Sequence, residues 1–142
     1  MADSYQIVER VPTIKEYMAL CLSVGWAEVI NADAVRIALP RSLYAVVALQ
    51  DDTTVGMGRI VGDGAIFFYI QDIAVHPVHQ HKGVGTRIMD RLMDYIRRQA
   101  PDKAFVGLFA AGSSKTFYAR YGFYTHPEMT GMFQTTPLAQ AR

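Results

Sequence analysis

The residues best suited to chemistry lie in one run, His76-Pro77-Val78-His79-Gln80-His81-Lys82-Gly83-Val84-Gly85-Thr86. Its centre is Gln80-x-x-Gly83-x-Gly85. Glycines so spaced let the backbone approach a ligand closely. Beyond them Val84, Ile88, Leu92 and Ile96 recur every four residues, one face of an amphipathic helix. A helix that begins inside a glycine pair offers the free N–H groups and partial positive charge of its first turn, which suit a phosphate-type anion. The same pattern is also an ordinary helix start, and spacing alone does not separate the two. It is not a dinucleotide fingerprint, because the third glycine position is Ile88, and no Gly-Lys-Ser/Thr marks a Walker loop. His76, His79 and His81 invite a metal reading, but no matching carboxylate or cysteine set accompanies them. They are read as solvated turn residues, with no metal expected.

Two further side chains stand out. Tyr118, within Phe117-Tyr118-Ala119-Arg120-Tyr121-Gly122-Phe123, is either a core aromatic or a proton donor, and Tyr121 is the packing decoy. Asp72 is a carboxylate in a strand of apolar neighbours. It is either paired with Arg59 or backbone donors, or available as a base. Composition narrows the classes. With 142 residues the chain is expected to be a single domain, 1–142. A net charge of +1 gives no broad footprint for nucleic acid, so none is expected as partner. No apolar run is long enough to span a membrane, and no membrane partner is expected. The lone cysteine, Cys21, and an N-terminus without a signal pattern favour a cytoplasmic setting.

The elements that must position these groups follow from periodicity and punctuation. Strands are expected over 5–11, 43–49, 55–61 and 65–75, with 103–110 as a buried strand and final strands over 123–125 and 132–136. Thr13-Ile14-Lys15-Glu16 resembles a capping box opening a first helix that stops near Gly25 and Trp26. Asn31 or Asp33 caps a short second helix ended by Pro40, and 113–120 forms a short last helix stopped by Gly122. The glycine pair joins the strand ending at Val75 to the long helix. The strand after that helix then lies parallel, by a right-handed crossover. The fold class is α/β (α+β): a mixed, mostly antiparallel sheet with one parallel β-α-β unit and helices on both faces. No repeat, linker or low-complexity segment interrupts it.

On these residues the chain resembles the GNAT acetyltransferase superfamily. The family's Gln/Arg-x-x-Gly-x-Gly/Ala is similar to Gln80 to Gly85, after a strand ending in Ile73-Ala74-Val75. Its Tyr-x-x-x-Gly-Phe is similar to Tyr118 to Phe123. The resemblance runs from about residue 44 to 133, and Gly56 to Gly64 with Gly131-Met132 resembles a branch acting on small amines. It implies acetyl-CoA as co-substrate and a primary amine, preferably of a small molecule, as acceptor. It implies that Ile73, Ala74 and Val75 pair with the pantetheine arm as an added strand. Gln80, His81, Lys82, Gly83, Val84, Gly85 and Thr86 would hold the pyrophosphate, and the Val75 N–H would face the oxyanion. Tyr118 would protonate the departing thiolate. The family often supplies a glutamate base from the strand before the signature; here the only carboxylate is Asp72, so a water relay anchored by Asp72, Gln71 or a carbonyl is expected. An asparagine common early in the last helix is replaced by Ala111-Gly112-Ser113-Ser114-Lys115, so Ser114, Lys115 and Phe117 are expected to take up cofactor contacts. Dimers are common in the superfamily, and a homodimer is compatible with this chain. The rivals are a protein N-acetyltransferase and a CoA-binding regulatory module without turnover.

Overall fold

The computed structural model describes residues 4–141. They divide into two compact units, one ending at Leu108 and one beginning at Phe109. The first contains a five-stranded sheet in the order β1 (Tyr5–Glu9), β2 (Tyr44–Gln50), β3 (Thr53–Gly62), β4 (Phe67–Val75), β5 (Phe105–Gly107). The first four strands form antiparallel neighbours, while β4 and β5 run parallel. This is the mixed, mostly antiparallel sheet expected, with its parallel unit where the glycine pair indicated.

Local sequence explains much of it. Helix α1 (Ile14–Ser23) opens with Thr13 accepting from the Glu16 N–H at 3.1 Å and Glu16 accepting from the Thr13 N–H at 2.7 Å, a reciprocal cap. Asn31 caps α2 (Ala32–Ala38) through the N–H groups of Asp33 and Ala34. The β2–β3 hairpin turns on Asp51 and Asp52, with φ of 49° and 68°. Two successive positive φ values match the twist of the flanking strands.

Helices cover both faces. On one side α1 and α2 contribute Tyr17, Leu20, Cys21 and Val35 to a cluster with Leu39, Met57 and Ala74. On the other lies α3 (Val84–Gln99), with Val84, Ile88, Met89, Leu92 and Ile96 buried. It sits over bare backbone. A methyl added at Gly58 would lie 2.7 Å from Ile88 and 2.8 Å from Ile73. Tyr95 of α3 stacks on Tyr44 at 4.4 Å. At the β1 edge, the Arg87 and Arg91 guanidinium groups of α3 donate to the carbonyls of Tyr5 and Ile7, at 3.0 and 3.3 Å.

Three expectations are corrected. The strand over 103–110 shrinks to Phe105–Gly107 and is half-buried rather than buried. It pairs with β4 only from Phe67 to Tyr69, three residues before the β3–β4 register shift at Asp72. The strands expected over 123–125 and 132–136 are absent. The second unit holds α4 (Lys115–Ala119), followed by turns and a single bridge between His126 and Met129. Met132 and Phe133 are 85% and 84% exposed there. Alternating residues make a strand only beside a ladder, and none runs along 132–136 among the described residues. The stop at Gly122 is as expected, with φ +89°.

Glu16 ties this architecture to pH. Besides the cap, its carboxylate binds both terminal nitrogens of Arg10, at 2.9 and 3.1 Å, and accepts from the Thr54 hydroxyl of β3. The Arg10 contact foremost holds its pKa down, from 4.5 to about 2, against the opposing cost of burial. A depressed carboxylate stabilises the fold fully above its unfolded pKa and loses that contribution as pH falls through the folded value. Glu16→Gln should therefore melt about 3 °C lower at pH 7, for a cost of about 1 kcal/mol. The gap to the unaltered protein should close as melts are run from pH 4.5 down to 2.

Candidate active site

The first unit brings the strand end and the glycine run together. Past Tyr69, residues 70–75 of β4 have no partner on the β5 side among the described residues. That stretch includes Ile73, Ala74 and Val75, of which Ala74 is buried and the others half-buried. Here the sheet leaves a length of main chain open to pairing with an extended ligand.

From Val75 the chain turns sharply. The His76 N–H donates to the Val55 carbonyl at 2.8 Å, and His76 Nδ1 accepts from the Val78 N–H at 3.2 Å. Pro77–His79 makes one 3-10 turn. The Gln80 side-chain amide then donates back to the Val75 carbonyl at 2.9 Å, bracketing the loop against the end of β4. His79 Nδ1 lies 2.9 Å from the Tyr5 hydroxyl, linking the loop to β1. Burial, then the nearby charges of Lys82 and His76, lower the His79 pKa and favour its neutral ring. His76 and His79 therefore serve turn and packing roles. Among the described residues no group of three or more histidine, cysteine or acidic side chains could hold a metal ion.

His81, Lys82 and Gly83 are exposed, Val84 is buried, and Gly85 and Thr86 are half-buried. Gly83 is the N-cap of α3 with φ +84° and makes no side-chain cap bond. Nothing lies within 4 Å of where its Cβ would be. Only glycine takes that φ without strain, and the open space beside it lets a ligand reach the first-turn N–H groups. His81 also has positive φ, at 63°. The loop thus ends in an exposed helix start whose first-turn N–H groups can meet an anion.

Asp72 interrupts β4. Its φ is +59°, and the β3–β4 register shifts between Met57 and Arg59 beside it. A non-glycine residue in that conformation costs about 1 kcal/mol or more. Its carboxylate is held by Arg59 Nε at 2.7 Å, and Arg59 reaches the Ser42 hydroxyl at 3.2 Å. The two side chains are 14% and 15% exposed. From α1, Tyr17 lies near enough to Asp72 that burial first, then the Asp72 charge, raise the phenol's pKa well above the usual range. Asp72 is therefore a committed carboxylate rather than a free one. Arg59 could be named from sequence as its partner. Tyr17 could not be placed near it, because its helical spacing reads only as core.

In the second unit Ser114 precedes α4, its hydroxyl donating to the Ala111 carbonyl at 2.6 Å. Lys115 is exposed, and Phe117 and Tyr118 are half-buried with rings 5.1 Å apart and edge-on. Arg120 lies over the Phe117 ring at 5.0 Å. Burial raises the Tyr118 pKa, so the phenol keeps its proton at neutral pH.

Comparison with known proteins agrees with this geometry. The family model described as "Acetyltransferase (GNAT) domain" matches residues 15–134. The uncharacterized N-acetyltransferase ycf52 of Porphyra purpurea is 32% identical over 138 residues, covering 94% of this chain and 78% of that protein. The histone acetyltransferase TAP1 of Glycine max is 29% identical over 133 residues, covering 84% of this chain and 56% of that protein. A crystal structure of a probable acetyltransferase from Staphylococcus aureus superposes with a TM-score of 0.86 at 32% identity, covering 92% and 98% of the two chains. An open strand edge leading into an uncapped helix start, in a sheet of this order, thus recurs with the family's own sequence pattern: the chain belongs to the GNAT acetyltransferases and is an acyltransferase.

Proposed function

We propose that this enzyme moves an acetyl group from acetyl-CoA to the primary amine of a small molecule by direct attack in a ternary complex. The observation that carries the reading is the open β4 edge at 70–75 running, through the loop bracketed by Gln80, into the uncapped start of α3 at Gly83. Pantetheine amides pair with Ile73, Ala74 and Val75, and the N–H groups from His81 to Thr86 take the pyrophosphate. Ser114, Lys115 and Phe117 add contacts to the cofactor, the lysine through a phosphate. The neutral amine attacks the thioester carbonyl, whose oxyanion faces the Val75 N–H. The C–S bond then breaks, and Tyr118 gives its proton to the thiolate. The ammonium proton leaves through water anchored near Asp72 and Gln71, and solvent returns a proton to Tyr118. The products are an N-acetyl amide and CoA thiol.

The two units are read as one acetyltransferase domain, because the family match runs from 15 to 134 through both. A reducing, cytoplasmic setting fits the free, buried Cys21. No helix among the described residues is long and apolar enough to cross a membrane. A small acceptor is favoured because a net charge of +1 signals no extended acidic or basic groove for a peptide. A protein acceptor is the second reading, raised by the Glycine max relative's name.

Calorimetry should show acetyl-CoA binding, and release of CoA thiol should be seen with one or more members of a panel of small amines, polyamines, amino acids and peptides. Turnover with peptides alone would replace the small acceptor by a protein, and no binding at high micromolar protein would remove the whole reading. Tyr118→Phe should lower kcat about a hundredfold while leaving acetyl-CoA affinity within about twofold. An unaltered rate would take the acid role from Tyr118. Gly83→Asp puts a carboxylate where the pyrophosphate is expected and should weaken acetyl-CoA binding at least about a hundredfold. Unchanged affinity would move the pyrophosphate elsewhere.

A further inference from the structure

Residue 72 is the one non-glycine position within β4 with a left-handed backbone. Opposite Gly58, two β4 residues, Asp72 and Ile73, stand where a regular ladder would place one. A regular strand would turn every later side chain to the other face and exchange the backbone groups on its two edges. The bulge therefore sets the direction of the main chain at Ile73, Ala74 and Val75. It also puts the Ile73 side chain over Gly58, beside Ile88 of α3.

The carboxylate of that strained residue is held from the neighbouring strand. Arg59 of β3 holds it at 2.7 Å, Ser42 tethers Arg59 at 3.2 Å, and Tyr17 of α1 lies near enough to feel its charge. In register, Arg59 pairs across the ladder with Gln71, the residue before the bulge. A short, directed, largely dry ion pair at this place fixes a side chain whose backbone would otherwise relax toward the regular strand.

We propose that Arg59, tethered by Ser42, is a positioning residue for acyl-CoA binding: by clamping the Asp72 side chain it keeps the β4 bulge in the form whose open edge accepts the pantetheine arm. This rests on the acetyl-CoA reading above. Arg59 touches neither substrate nor the reacting atoms in this account. It acts through the population of one backbone state.

Glycine at position 72 supplies the test, because it holds a left-handed φ with no clamp. Calorimetry with acetyl-CoA is run on the unaltered protein, Arg59→Met, and Arg59→Met/Asp72→Gly. Amide spectra of residues 73–75 are recorded without ligand. If the clamp is lost and the competent state falls to about a tenth of the molecules, the Kd for Arg59→Met rises about tenfold. The double variant is expected to bind within about threefold of the unaltered protein, with its amide shifts for 73–75 returned toward the original positions. A direct contact between Arg59 and the cofactor would not be rescued by glycine, and melting each variant beside the titration separates a general loss of stability from a shift of the 73–75 backbone. Should Arg59→Met fail to fold, Arg59→Lys, which keeps the charge but not the guanidinium's fixed Nε geometry, takes its place in the same comparison. A double variant as weak as the single one overturns the proposal, as does a single variant that binds like the unaltered protein. If the unaltered protein itself fails to bind acetyl-CoA, the functional reading falls and the proposal's ligand falls with it. That outcome is distinct from normal binding that is indifferent to Arg59.

Discussion

The seat of α3 on a strip of bare backbone is the constraint on which the site depends. Gly56 and Gly58 leave room on β3 for Ile88, and Ile88 stands five residues from Gly83. At 1.5 Å per residue the start of the helix is about 7 Å from that contact. Any side chain at Gly58 would lift the helix and displace its first turn relative to the end of β4. Packing in the core is thus coupled directly to the position of the exposed α3 start at Gly83. The coupling is rigid because protein interiors are close-packed, and a displaced side chain has nowhere to go.

A second constraint concerns charge. The first unit places one carboxylate, Asp72, beside the open strand edge and binds it to a guanidinium. So engaged, it is a poor candidate for an independent base and a good one for fixing structure and orienting water. The tyrosine of the second unit presents the opposite case. Tyr118 is half-buried, and burial alone accounts for the rise in its pKa. It keeps a proton available without a specific partner to hold it. Two ionisable groups in different surroundings thus suit two different tasks.

What could be read from sequence was local. The capping box at Thr13 and Glu16, the cap at Asn31, the αL stop at Gly122 and the helix start at Gly83 each depend on a few adjacent residues, and each is present in the structure. The mixed, mostly antiparallel sheet with its one parallel pair followed from connection rules acting on those elements. The bulge at Asp72 was not legible, because aspartate tolerates a left-handed backbone without requiring it. The Arg59 contact to it, and the Ser42 tether behind Arg59, link residues far apart in the chain. Residues 123–125 and 132–136 misled for a related reason. Their alternation satisfies the pattern of a strand, but a strand also needs a neighbour, and pattern alone cannot supply one.

The two sides of the sheet treat their unpaired backbone in opposite ways. Along β1, Arg87 and Arg91 occupy the outward carbonyls of Tyr5 and Ile7. Exposed edge carbonyls are a template for any passing extended chain, and covering them with bulky cations removes that template. The unguarded backbone at 70–75 lies inside the fold's own opening between β4 and the short β5. Strand addition is thereby disfavoured along β1 and left open along 70–75. Adhesion between molecules and ligand capture draw on the same hydrogen bonds, and this arrangement keeps them apart.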